Sequence, residues 1–124
     1  MLRDLPLYPV LAASDIERAK AWYRDKLDLT PEVEEPMGSL WYKTGDSWFL
    51  LYPTPSAGTA QNTVAHWTVP DITVVMTDLR ARGVTFEDYD FGNGMATVDG
   101  VMEMAGRSAA WFKDSEGNIF ELTN

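Results

Sequence analysis

Residues 111–124 read WFKDSEGNIFELTN. An aromatic pair and a lysine lead into the polar run Asp114-Ser115-Glu116-Gly117-Asn118. An apolar stretch interrupted by one carboxylate, Glu121, follows. Polar residues around a Gly-Asn pair punctuate a chain, so the segment predicts strand, turn, strand. It also has an echo. Trp41-Tyr42-Lys43 runs through the polar turn TGDS into WFLLY (48–52), as Trp111-Phe112-Lys113 runs through DSEGN into IFELT (119–123).

The echo extends upstream. Ser14 and Glu17 in SDIERAKAWYRDKL (14–27) have capping-box spacing, and Ile16, Ala19, Tyr23 and Leu27 fall on one helical face. In PDITVVMTDLRARG (70–83), Asp71 is the expected cap and Ile72, Val75, Met76 and Leu79 form the apolar stripe. Gly83 supplies a left-handed stop. Both helices open on Asp-Ile, at 15–16 and 71–72, and each follows a strand-like run, LYPVLAA and TVAHWTV. The chain therefore reads as strand–helix–strand–strand–strand written twice. Module one covers about 1–55, the linker PTPSAGTAQN about 53–62, and module two about 63–124, within one domain of 124 residues. Module two carries an insert, DYDFGNGMATVDGVMEMAG (88–106), that suits a hairpin with a mobile loop.

These stretches, SDIERAKAWYRDKLDLTP (14–31), LRARGV (79–84) and WFKDSEGNIFEL (111–122), resemble the vicinal oxygen chelate superfamily, which contains glyoxalase I, bleomycin-resistance proteins, fosfomycin-resistance enzymes and extradiol dioxygenases. The resemblance implies an α+β fold of two βαβββ modules curled into a half-barrel around one pocket, usually in a homodimer. In metal-using members four pocket-facing side chains, on the first and last strand of each module, hold the ion. Counting from Asp15 and Asp71 and aligning the last strands, those positions here are Tyr8, Leu50, Val64 and Glu121. Leu50 and Val64 carry no donor, and a divalent ion needs three or four N or O atoms. This departure from the family's pattern implies a metal-independent protein with no cofactor. A metal-dependent version would need donors from Glu121, His66, Tyr8 and a partner chain.

Composition sharpens this. The chain has no cysteine and a single histidine, His66. Thiolate nucleophiles are excluded, as is any metal site drawing two histidines from one chain. A net charge of −9 with a pI of about 4.4 argues against nucleic acid and is compatible with cationic ligands. No stretch reaches the length of a membrane helix. The opening MLRDLPLYPVLAAS resembles a signal peptide only superficially, since Pro6 and Pro9 interrupt it and Asp4 offsets Arg3, so a cytoplasmic protein is expected.

Strand alternation assigns the polar residues. His66 shares a face with Val64, leaving Ala65 and Trp67 for the helices. Glu121 shares one with Ile119 and Thr123, leaving Phe120 and Leu122 for the core. Tyr8, Trp48 and Tyr52 fall on the pocket face, where their rings suit stacking on a flat or cationic ligand. Asp99, Glu103 and Arg107 lie in the insert region and are candidates for the pocket mouth without an assignable phase, and EVEEP (32–36) reads as a solvated acidic rim.

Two function classes follow. In the first, a bleomycin-resistance-like protein sequesters an aromatic or cationic small molecule, with Tyr8, Trp48, Leu50, Tyr52, Val64, His66 and Glu121 lining the site. In the second, Glu121 and His66 are the acid–base pair of a metal-free lyase, isomerase or cyclase, with Tyr8 stabilising an enolate-like intermediate. A third reading gives the domain a vestigial pocket and a role in partner contact.

Overall fold

A computed structural model describes residues 1–124. A single 3-10 turn at Leu2–Asp4 precedes the first module, which runs β1 (Val10–Ala13), α1 (Ile16–Leu27), β2 (Val33–Glu34), β3 (Leu40–Thr44) and β4 (Ser47–Pro53). The second runs β5 (Thr63–Thr68), α2 (Ile72–Ala81), β6 (Val101–Met104), β7 (Arg107–Lys113) and β8 (Ile119–Thr123). The sheets are four-stranded, ordered β1-β4-β3-β2 and β5-β8-β7-β6. In each, the first strand lies parallel to the last and the rest are antiparallel. Two βαβββ modules of one design are thus present. No helix is long and apolar enough to cross a membrane.

Each helix starts where an aspartate can satisfy free backbone N–H groups. Asp71 accepts from Thr73 and Val74, as its place before the apolar stripe predicts. In α1 the cap is Asp15, which accepts from Arg18 N at 3.0 Å, and not Ser14. Ser14 is drawn away by a stronger partner, Glu116, whose Oε1 accepts from the Ser14 backbone N–H at 2.9 Å. A charged acceptor that is itself withdrawn from water outcompetes a neutral local cap.

The helix-side faces of the two sheets share one buried core. Tyr23, on α1, joins them: its ring lies 5.2 Å from Tyr42 and 6.0 Å from Phe49 in sheet one, and 6.3 Å from Phe120 in sheet two. Trp22 stacks on Phe112 across the same junction. Phe49, Phe112 and Phe120 are core residues, as expected of rings on the inner face.

The turn between β7 and β8 fastens module two to module one. Asp114 Oδ1 accepts from Glu116 N and Asn118 N, while Oδ2 accepts from Tyr23 Oη at 2.6 Å and Asn118 Nδ2 at 2.7 Å. Asn118 Nδ2 also donates to the Ala12 carbonyl. Glu116 reaches the start of α1, where Arg18 Nε donates to its Oε2 at 2.9 Å. Gly117 takes φ of 90° there, and a Cβ would come within 2.8 Å of Gly58 Cα, so the linker and the turn both require its bare backbone.

Candidate functional site

Because both helix-side faces point into the shared core, each open face is turned away from it. On sheet one the register sets Val10, Leu50, Trp41 and Val33 side by side, with Trp48 beside Lys43 and Ala12 beside Tyr52 in the flanking rows. This is an aromatic wall. Tyr8, just before β1, packs edge-on against Trp41 with ring centroids 5.3 Å apart, and Lys43 Nζ lies 5.9 Å from the Trp48 ring. Trp41 Nε1 is held by Glu35. Tyr8 and Tyr52 are about two-fifths exposed, so their faces are available for stacking.

Sheet two presents a different chemistry. His66 of β5 stands in register with Glu121 of β8, which is opposite Trp111 of β7. Neighbouring strands lie about 4.8 Å apart, so imidazole and carboxylate rise side by side from one row. Thr68, Thr123 and Ala109 form the next row. A cavity of about 300 Å³ is lined by His66, Thr68, Met102, Met104, Arg107, Ser108, Ala109, Glu121 and Thr123. Met102, Ala109, Trp111 and Ile119 form a small apolar cluster beside it, and the insert covers one edge through Tyr89 and Phe91, both packed on Trp111.

Val64 does not share the His66 face. The ladder slips between Thr63 and Ala65, leaving Val64 as the extra residue of a β-bulge. Thr63 takes its place on the open face, paired with Ile119 and accepting a hydrogen bond from Trp111 Nε1. Val64 instead packs on the main core with Ala65 and Trp67. One inserted residue is enough to shift a strict two-residue alternation, and no sequence signal announced it.

A second, larger cleft of about 640 Å³ runs between the modules, bordered by Tyr8, Trp48, Val64, His66 and Phe120 among others. It draws Tyr8, Trp48 and Val64 towards His66. Neither this cleft nor the cavity on sheet two includes Leu50 or Tyr52, which stay on the open face of sheet one.

The four positions that the resemblance marks do not by themselves make a metal site. Of these, Leu50 and Val64 offer hydrocarbon, Val64 is bulged out of line, and no group of three His, Asp or Glu converges anywhere in the chain.

Titration is perturbed in the turn that joins the modules, and also in the insert, where burial raises Tyr89 and hydrogen bonds from Thr97 and Gly100 lower Asp88. Burial alone would raise the Glu116 carboxyl; hydrogen bonds from Arg18, the Asp15 N–H and Ser115 overcome it and pull the group down to about 2. Asp114 moves the other way, because burial outweighs its hydrogen bonds from Tyr23 and Asn118. Burial and the neighbouring Asp114 hold the Tyr23 hydroxyl well above its ordinary range, and burial pushes Tyr42 up to about 12. Shifted groups often mark chemistry; here Asp114, Glu116 and Tyr23 hold a structural joint through their hydrogen bonds. Sequence reasoning identified the β7–β8 turn without assigning Glu116 or Asp114 a partner.

A family profile described as Glyoxalase/Bleomycin resistance protein/Dioxygenase superfamily matches residues 6–122. Among solved structures, the glyoxalase family protein from Enterococcus faecalis is similar over 100% of both chains, with a TM-score of 0.70 and 18% identity. The glyoxalase/bleomycin resistance protein from Catenulispora acidiphila matches over 96% of each chain, with a TM-score of 0.66 and 19% identity. The fosfomycin resistance protein FosX from Listeria monocytogenes matches over 95% of this chain and 88% of its own, with a TM-score of 0.68 and 12% identity. No curated protein sequence matches significantly.

Proposed function

The chain belongs to the Glyoxalase/Bleomycin resistance protein/Dioxygenase superfamily, and on that premise we propose that it is a metal-independent small-molecule-binding protein that acts as a homodimer. The observation that carries the reading is the aromatic wall on sheet one with Leu50 at its centre, where the family pattern asks for a donor. Tyr8, Trp41, Trp48 and Tyr52 suit a flat ligand, and cation–π attraction to such rings favours one with positive charge. Glu121 supplies the counter-ion and His66 a hydrogen bond.

The homodimer follows from where the two walls lie. Tyr8, Trp48 and His66 border the cleft between the modules, while Glu121 lies outside it and Leu50 and Tyr52 stay on the open face of sheet one, so one ligand reaches the whole set only when a second copy supplies the remaining face. β1 and β5 end their sheets, and their outer edges pair with no strand in the chain. Open edges of this kind recruit another strand. Leu7, 94% exposed, and Val10, 57% exposed, lie along the β1 edge and gain cover in such a pairing.

The test is tryptophan fluorescence and calorimetry with a panel of cationic aromatic compounds on protein whose mass is followed by sedimentation. Saturable binding to a dimer, weakened by Trp48→Ala and by Glu121→Gln, is the expected result. A monomer that binds none of the panel sinks the reading.

A second reading is favoured by one observation, the direct register of His66 with Glu121. A base and an acid on one row suit proton transfer in a metal-free lyase, isomerase or cyclase. It predicts turnover with a pH profile that loses one inflection in Glu121→Gln. Ligand affinity without turnover favours the binder.

A further inference from the structure

Arg107 stands on the open face of sheet two without a partner. Arg18, Arg24 and Arg82 each hold a carboxylate, while the Arg107 guanidinium, at the exposed start of β7, is in no ion pair. The nearest acid on the facing strand is Glu103, which belongs to the other side of the ladder and accepts from Ser108 Oγ at 2.7 Å. A chain with net charge −9 has carboxylates to spare, yet this cation faces a cavity.

The registers lay that face out in rows. His66, Glu121 and Trp111 form the first; Thr68, Thr123, Ala109 and Met102 form the second; Arg107 and Met104 form the third. Rows on one face repeat every second residue, so the Glu121 and Arg107 rows lie roughly 13 Å apart along the strands. Between them the small Ala109 leaves room, Met102 gives an apolar floor, and Thr68 and Thr123 offer two hydroxyls. One cavity touches both ends.

From this arrangement we infer that the open face of module two takes a zwitterionic ligand lying along the strands, its ammonium or amidinium end at Glu121 and its carboxylate end at Arg107. The inference rests on the proposed ligand-binding reading of this face and adds the anionic end. A single guanidinium accepts a carboxylate through two parallel N–H···O bonds. The face has no second free cation to balance a dianion, so a carboxylate matches it better than a phosphate. Glu121 and Arg107 then act as a ruler: the ligand is selected by the separation of its charges as well as by their sign.

The experiment is a 1H–15N NMR titration of the full chain. The probe is aminomethyl-biphenyl-carboxylate with its two groups para to the ring–ring bond, which sets ammonium and carboxylate at opposite ends of a rigid aromatic rod. Its primary amide, which keeps only the cation, and its N-acetyl form, which keeps only the anion, are titrated alongside. The zwitterion should shift the Thr68, Thr123 and Ala109 amides and bind about tenfold tighter than either derivative, the step expected for one charge-assisted pair. Arg107→Gln should weaken the zwitterion about tenfold and leave the amide within about twofold; Glu121→Gln should weaken the zwitterion likewise and leave the N-acetyl form within about twofold. If the amide binds as well as the zwitterion, or Arg107→Gln weakens both alike, the anionic subsite is wrong while the ligand-binding face stands. If no probe shifts the face, both fall.

Discussion

Glu116 on the β7–β8 turn receives the Arg18 guanidinium of α1, with Nε donating to Oε2 at 2.9 Å and Nη2 to Oε1 at 3.1 Å, across 98 residues of sequence. The Glu116 side chain is fully covered while Arg18 is half exposed. The carboxylate also serves the two free N–H groups of Ser14 and Asp15. It therefore works as a helix cap delivered from the other module, and it ties the start of α1 to the end of the second sheet.

That joint should make stability acid-sensitive. The folded Glu116 carboxyl sits near 2 against an ordinary 4.5. A depressed carboxyl stabilises the folded state above its unfolded value and loses that contribution as pH falls from about 4.5 towards about 2. The shift corresponds to about 3 kcal/mol, less what Asp114 returns. Asp114 has the opposite sign: its carboxyl is raised by burial, so its own term favours folding as pH drops. Urea unfolding of Glu116→Gln should show lower stability at pH 7 and a flatter profile between about pH 5 and 3 than the parent. Parallel profiles for the two proteins would show that Glu116 is not the acid-sensitive group.

Two buried tyrosines a ring apart should respond oppositely to losing a hydroxyl. Tyr23 Oη donates to Asp114, so Tyr23→Phe leaves a buried carboxylate short of a donor and should cost about 1–3 kcal/mol. Tyr42 Oη is buried with no hydrogen-bond partner, so Tyr42→Phe removes a desolvated polar atom and should be neutral or stabilising. Thermal unfolding of the pair decides it. A larger loss in Tyr42→Phe would mean that its hydroxyl has a partner such as ordered water.

Much of this was legible in the sequence because the fold is written twice. Asp71 precedes an apolar stripe that needs a cap, and Trp-aromatic-Lys before a polar turn recurs before each closing strand. Local patterns of that kind are read within a dozen residues. What escaped was non-local or off-period. Ser14 and Glu17 had the spacing of a capping box, yet Glu116, a hundred residues away, took Ser14. The bulge at Val64 shifted one strand by one place. Arg107 could be assigned a face only once β6 and β7 were in register. The candidate residues could be named from composition, through one histidine and the closing carboxylate. Their arrangement could not, because which faces share a core is decided by packing between modules.

The β1 edge gives a direct test of the second copy. Leu7 is almost fully exposed, so Leu7→Lys should change the stability of a single chain by no more than about 0.5 kcal/mol. In a dimer that covers this edge, the same lysine is buried in an apolar seam. Sedimentation equilibrium should then show association weakened by at least about tenfold, a cost near 1.4 kcal/mol. An unchanged dimer would place its interface elsewhere, and a monomeric parent protein would remove the shared site.

Metal affinity is the sharpest test of the chemistry. Leu50 and Val64 stand where two donors are needed, and the remaining pair, Tyr8 and Glu121, belongs to different open faces of the chain. A second copy could bring Tyr8 towards Glu121, but only one of those two is an anionic oxygen donor without losing a phenolic proton. Such a set competes poorly with water for a hard divalent ion. Calorimetric titration with nickel, zinc, manganese and, anaerobically, ferrous iron should therefore give no tight one-per-chain binding. Micromolar binding at that stoichiometry, lost in Glu121→Ala, would mean that His66 or neighbouring oxygens complete the site. The aromatic wall would then be the substrate side of a metalloenzyme.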